Sequence, residues 1–169
     1  MKLYTIGHSA HPIEKFIALL KMHEIELLVD VRSTPASRFH PQFNQQRLEQ
    51  SLAAEGVAYA YLGNELGGRP ADPALYEKEL PAKKGKARPL ANFEEVMKRD
   101  WFVHGIQELL EIFPKQTTAI LCSEEDPNRC HRHLLIGEYL NRTQPDIDVI
   151  HIRGDGSTIS ANALIGKSD

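Results

Sequence analysis

The sequence predicts a single α/β domain over residues 1–169, with a mainly parallel five-stranded sheet, helices on both faces and a long loop after strand three. Two observations carry this expectation. Short apolar runs rich in β-branched residues alternate with segments whose apolar residues recur at helical spacing. The connections between those runs are also long enough for the right-handed crossovers that parallel strands require.

The first apolar run, Leu3 to Ile6, stops at Gly7-His8-Ser9, and Pro12 then suits the first turn of a helix whose face carries Ile13, Phe16, Ile17 and Leu20. Leu27 to Val31 reads as a second strand. After a polar stretch, Asn44 can cap a helix bearing Leu48 and Leu52 that stops near Gly56. Val57 to about Leu62 forms the third strand. From Gly63 to Asn92 the periodicity fails among many glycines and prolines, leaving room for only a short helix near Leu75 to Leu80. A connection of that length reads as a binding loop or lid and is expected to approach the strand ends. Asn92 with Glu95 forms a capping arrangement for one bent helix, or two abutting ones, reaching Pro114. The fourth strand is Thr118 to Cys122. Asp126-Pro127 starts the next helix, which carries Leu134, Leu135, Tyr139 and Leu140, and Ile147 to Ile152 is the fifth strand, ended by the turn Gly154-Asp155-Gly156.

Composition narrows the function classes. With 41% hydrophobic and 25% charged residues the chain is globular, and the aliphatic-rich run Phe16 to Leu20 is too short to cross a bilayer. No secretory leader follows Lys2, and two cysteines are too few for a disulfide scaffold, so a cytoplasmic location with free thiols is expected. A net charge of −3 supplies no global field that draws the protein to nucleic acid or an anionic membrane. The basic run Lys83, Lys84, Lys86 and Arg88 reads as a solvated loop.

In open parallel sheets, ligands bind outside the carboxyl ends of the strands. There the sequence places His8 and Ser9 after strand one, Asp30, Arg32 and Arg38 after strand two, Glu65 and Arg69 after strand three, and Cys122, Glu124, Cys130, His131 and Arg132 after strand four. Arginine forks suit phosphate or carboxylate, histidine exchanges protons near neutrality, and carboxylates orient it or act as bases. His8, Asp30, Glu124 and His131 are the candidate proton-moving residues; Ser9, Arg32, Arg38, Arg69, Cys130 and Arg132 are the candidate substrate-binding ones. His8, Asp30, Arg32, Glu124 and His131 or Arg132 are expected to border one cavity, with Arg32 more important for anion recognition than either thiol.

Cys130 in an early helical turn could be a thiolate, but packing is the first reading for both Cys130 and Cys122. From Cys122 to Arg129 there are six intervening residues, one more than in the loops of cysteine phosphatases and rhodaneses, and Glu124, Glu125 and Asp126 would repel phosphate there. Cys122 and Cys130 lack short metal-ligand spacing, although His8, Cys130 and His131 could converge, so no metal is assigned. No Walker motif or dinucleotide glycine fingerprint identifies a cofactor.

Four ordered motifs carry a resemblance. They are Thr5-Ile6-Gly7-His8-Ser9; Asp30-Val31-Arg32 with Pro35 and Ser37-Arg38; Leu62-Gly63 with Glu65-Leu66-Gly67-Gly68; and Cys122-Ser123-Glu124 with Pro127 and Cys130-His131-Arg132. Together they resemble the YeaO-like family, catalogued as domain of unknown function number four hundred and eighty-eight, over nearly the whole chain. The chain departs from that pattern at Ala10-His11, in place of Asn-Arg, and at Ser123, where alanine is common. The resemblance implies the same α/β fold and a functional role for His8, Ser9, Asp30, Arg32, Arg38, Glu124, Cys130, His131 and Arg132, without implying a reaction.

The leading expectation is an enzyme acting on a phosphorylated, nucleotide or nucleic-acid substrate. Arg32, Arg38 and Arg132 would hold the anion while Glu124, Asp30 or His8 move protons. Its partner would be an anionic small molecule or nucleic acid, with no membrane; the sequence specifies no oligomeric state. The alternative is a noncatalytic nucleic-acid-binding module in which Tyr59, Tyr61 or Phe39 stacks on bases, and a salt-bridged structural scaffold ranks last.

Overall fold

The strands pair in the order β3-β2-β4-β1-β5-β6: β1 (Lys2–Gly7), β2 (Leu27–Asp30), β3 (Ala58–Tyr61), β4 (Thr118–Cys122), β5 (Asp148–Ile152) and β6 (Thr158–Ser160). This arrangement comes from a computed structural model that describes residues 1–76 and 90–164. Its first five strands are mutually parallel, and β6 pairs antiparallel with β5. The sheet is therefore mixed and six-stranded, correcting the expected five. At three residues, β6 is too short to show a period. The Gly154-Asp155-Gly156 turn ends β5 as expected and also closes a hairpin into β6, with Gly156 at φ +88° and Arg153 N–H donating to the Ser157 carbonyl.

Alternation along the strands builds a core on each face. Leu3, Val29, Ile120 and Val149 face one side, where they meet α3 (Gly63–Leu66), α4 (Phe93–Val96), α5 (Asp100–Ile112) and α6 (Glu138–Thr143) through Leu66, Val96, Phe102, Ile106 and Leu140. Ile6, Leu28, Leu121 and Ile152 face the other, against Phe16 and Leu20 of α1 (Ile13–Met22) and Leu48 and Leu52 of α2 (Gln45–Ala53).

That distribution positions the site. Connections from β1 and β2 cross one face toward β3, whereas those from β3 and β4 cross the other face toward β5. The chain therefore diverges between the neighbours β2 and β4, opening a crevice at their carboxyl ends.

Several local expectations resolve here. Two helices, α4 and α5, occupy the span after Asn92, whose side-chain oxygen accepts from Glu95 N–H at 3.2 Å. Asp126 does cap a turn with Pro127 at its start, but this is a single 3-10 turn, Pro127–Arg129. Helical structure resumes as a π-helix, Arg132–Gly137, leaving Cys130 extended between the two segments rather than in a first helical turn. The segment after β3 is not structureless where described, since α3 and a 3-10 turn at Pro73–Leu75 bury Leu66 and Leu75. The short helix expected to reach Leu80 and the basic run from Lys83 to Arg88 fall on residues 77–89, outside those described.

A buried polar chain crosses one core: Thr5 Oγ1 lies 2.7 Å from His151 Nδ1, and His151 Nε2 lies 3.1 Å from His133 Nδ1. Desolvation lowers the pKa of both imidazoles, that of His151 to about 3; Arg132 and Arg153 act in the same direction on His151. His8, buried on the opposite face, falls to about 4 for the same leading reason. Below pH 6.5 the unfolded chain protonates these histidines while the native state does not. Stability should thus be present above pH 6.5 and fall as the pH drops toward 4. For His8 and His151 together the loss between pH 6.5 and 5 is about 3 kcal/mol. Urea unfolding at the two pH values measures it, and His151→Gln should remove about half.

Candidate active site

Strand register brings the polar ends together: Gly7 of β1 aligns with Cys122 of β4, and Asp30 of β2 with Leu121. Cys122 is thereby held by the sheet itself at the mouth of the crevice. Its Sγ lies 3.5 Å from Nδ1 of His131, and Cys130 Sγ lies 3.9 Å from the same nitrogen. On the far side of the ring, His131 Nε2 lies 2.9 Å from the Val31 carbonyl. A carbonyl only accepts, so Nε2 carries a proton and Nδ1 is the nitrogen that exchanges one with sulfur.

The electrostatics follow from that geometry. Cys122 is held well below the usual thiol range, first by the hydrogen bond from Cys130, then against its burial by the His131 charge and hydrogen bonds from His131 and the Glu124 backbone. The Cys130 thiol is pushed up by Cys122 and by its own burial. Burial alone would lower His131, but the Cys122 thiolate and the Val31 carbonyl outweigh it and raise the imidazole above its ordinary value. These shifts all favour the ionic form of the pair, Cys122 as thiolate and His131 as imidazolium, and the thiol form of Cys130.

A cleft of about 300 Å³ opens over this pair, bordered by Arg32, Arg69, Cys122, Glu124, Arg129, Cys130 and His131. Gly68 also lines it, and a methyl group on its Cα would come within 2.5 Å of His131 Cγ. Gly68→Ala should push the ring off the sulfur and slow alkylation of Cys122 at neutral pH on the order of tenfold, as measured by the rate of iodoacetamide labelling, while circular dichroism remains native.

Arg32 forms one wall, locked rather than free. Its Nε donates to Asp30 Oδ1 at 2.9 Å, and its Nη2 donates to Asp30 Oδ2 at 2.6 Å and to the Phe43 carbonyl at 2.9 Å. Asp30 also accepts from Arg32 N–H at 3.0 Å and from the Tyr59 hydroxyl at 2.9 Å, and burial followed by the Asp30 charge drives the Tyr59 pKa up. Only Nη1 of the guanidinium is buried without a partner among the described residues.

Of the candidate proton-moving residues, Glu124 and His131 line the cleft, whereas Asp30 and His8 do not. Asp30 lies behind Arg32, fully buried. His8 stacks on Phe43 at 4.3 Å, and its Nδ1 lies 2.8 Å from the Ser9 carbonyl. Among the candidate binding residues, Arg32, Arg69 and Cys130 line the cleft; Ser9, Arg38 and Arg132 do not. Ser9 instead takes a left-handed turn at φ 46° and donates its N–H to the Ser123 carbonyl. Arg38 is exposed. Arg132 is wholly buried, its Nη1 and Nη2 donating to the Glu124 and Glu125 carbonyls, so it pins the loop after β4. Gly7 leaves room for this, because a Cβ there would overlap the Glu124 carbonyl and the Arg132 guanidinium.

Arg129 lines the cleft without having been a candidate, and Cys122, placed at the strand ends by the sequence but read first as packing, lines it too. Cys122 ends an apolar strand and so resembled core. The expected phosphate repulsion also weakens in three dimensions. Glu125 is turned away to bind Arg153 through two 2.8 Å hydrogen bonds, and Asp126 caps Asn128, leaving Glu124 as the cleft-lining carboxylate of the three.

A family model described as "Domain of unknown function DUF488" matches residues 12–140. Neither a curated protein nor a solved structure matches the chain.

Proposed function

The chain belongs to the DUF488 family, and we propose that it is an enzyme in which Cys122 attacks a phosphorylated, nucleotide or nucleic-acid substrate bound in the cleft between β2 and β4. The observation that carries this reading is His131, whose Nε2 is committed to Val31 while Nδ1 faces Cys122 Sγ at 3.5 Å. A base fixed in one tautomer beside a thiol is the arrangement that activates a cysteine nucleophile. In the first step a bond forms between Sγ and the electrophilic centre as the bond to the leaving oxygen breaks, and the proton on His131 Nδ1 passes to that oxygen. Water then cleaves the covalent intermediate, giving its proton to His131 or to Glu124 at the cleft rim.

Charge supports the anionic substrate class. Arg69 and Arg129 line the cleft, and Arg32 belongs to the same wall. Binding and chemistry therefore fall to different residues from those first expected: Arg32 is a fixed wall, and the thiol holds the centre.

The test is ligand protection. Iodoacetamide labelling of Cys122 should slow saturably with inorganic phosphate, nucleotides or short oligonucleotides, and the protection should disappear in the Arg69→Ala/Arg129→Ala double variant. Absence of protection by every anion in the panel would remove the assigned substrate class. Phe39, 84% exposed beside Arg38, favours the second reading, a noncatalytic module that stacks on bases. On that reading Cys122→Ser would bind oligonucleotides as wild type does, whereas Phe39→Ala would not.

A further inference from the structure

We propose that Cys130 is the resolving thiol of Cys122, so that the site also reduces hydroperoxides by cycling between a dithiol and a Cys122–Cys130 disulfide. This inference rests on Cys122 being the reactive thiolate described above and adds a second activity to the same sulfur.

Beyond the hydrogen bond it gives Cys122, Cys130 has no task in nucleophilic catalysis. It is nonetheless buried beside the nucleophile, and both sulfurs converge on His131 Nδ1, at 3.5 and 3.9 Å. The two sulfurs and that nitrogen all lie within 4.8 Å of one another. A disulfide needs the sulfurs to close to about 2.05 Å, which is a short movement on this scale. Cys130 is placed to make it. The residue is extended, at φ −130° and ψ 139°, where the 3-10 turn meets the π-helix: its N–H donates back to the Pro127 carbonyl and its carbonyl accepts from His133 and Leu134 N–H, so it is the junction of two separate helical segments. Cys122, by contrast, is fixed in β4 and paired in register with Gly7. One sulfur is rigid and the other sits at a joint.

The chemistry balances with a hydroperoxide as oxidant. Cys122 thiolate attacks the outer peroxide oxygen; the O–O bond breaks, the thiolate becomes a sulfenic acid, and the leaving alkoxide or hydroxide takes the proton from His131 Nδ1. Cys130 then gives its thiol proton to the now neutral Nδ1 and attacks Cys122 Sγ. The sulfenic hydroxyl leaves, collecting that proton as water, and the S–S bond forms. Two electrons pass from the thiol pair to the peroxide, and an external dithiol restores the reduced state.

The experiment treats the full chain with stoichiometric hydrogen peroxide, with and without dimedone, followed by intact mass and a nonreducing peptide map. Wild type should lose about 2 Da and give a linked Cys122–Cys130 peptide that dithiothreitol reverses. Cys130→Ser should instead accumulate a dimedone adduct on Cys122, raised on the order of tenfold over wild type. The wild-type measurement needs no variant to fold. If Cys122 in wild type proceeds to sulfenic or sulfinic acid with no link to Cys130, the resolving role is overturned while the nucleophile stands. A Cys122 inert toward both peroxide and iodoacetamide overturns both.

Discussion

Asp30→Ala is expected to cost about 3–5 kcal/mol of folding stability, because it strands a buried guanidinium. Arg32 is 4% exposed and Asp30 wholly buried, and the carboxylate receives Arg32 Nε, Nη2 and backbone N–H together with the Tyr59 hydroxyl. Removing it leaves a charge and a phenol without their acceptor in a region that excludes water. Urea unfolding measures the loss. Asp30→Ala combined with Arg32→Met should recover most of it, since an apolar side chain of similar length removes the stranded charge rather than repairing the pair. A loss below about 1 kcal/mol would mean that water reaches this pair and that Arg32 is free to serve as a binding group.

His131→Ala is expected to reduce the iodoacetamide reactivity of Cys122 at pH 6 on the order of 100-fold, by returning the sulfur toward an ordinary thiol. In the wild type, the thiolate lies well below the usual range and the imidazole above its own, so the labelling rate should be nearly flat across neutral pH. Without the imidazolium, the rate should climb about tenfold per pH unit up to the shifted thiol pKa. Cys122→Ser supplies the baseline. A wild-type rate that rises just as steeply through neutrality would show that sulfur and imidazole do not share the proton, and the nucleophile assignment would fall with it.

Much of the fold was legible because it is written in local patterns. Thr118–Cys122 as a strand, the Asn92 cap and the Pro127 turn depend on neighbouring residues, and their spacing survives in the structure. Alternating strands and helices likewise indicated a covered, mainly parallel sheet and directed attention to the carboxyl ends of the strands. The edge strand β6 was hidden because its three residues acquire strand identity only by pairing with β5. The π-helix was hidden too, since its sequence carries the same apolar spacing as an ordinary helix start.

Tertiary structure alone decided which polar residues face the cleft. Placing His8, Asp30, Arg32, Glu124 and His131 at one sheet edge follows from chain order and the parallel topology, and the sequence contains both. Which of them faces the cleft depends on contacts between distant segments. His131 reaches Val31 across 100 positions of sequence, Arg32 closes onto Asp30 and the Phe43 carbonyl, and Arg132 turns inward to the backbone of the loop after β4. A hydrogen bond of this kind fixes a tautomer, neutralises a fork or buries a charge, and none of these leaves a period or a spacing in the chain. Residue types and strand order therefore directed attention to this sheet edge, whereas the partners each side chain found on folding move the proposed centre from Arg32 to Cys122.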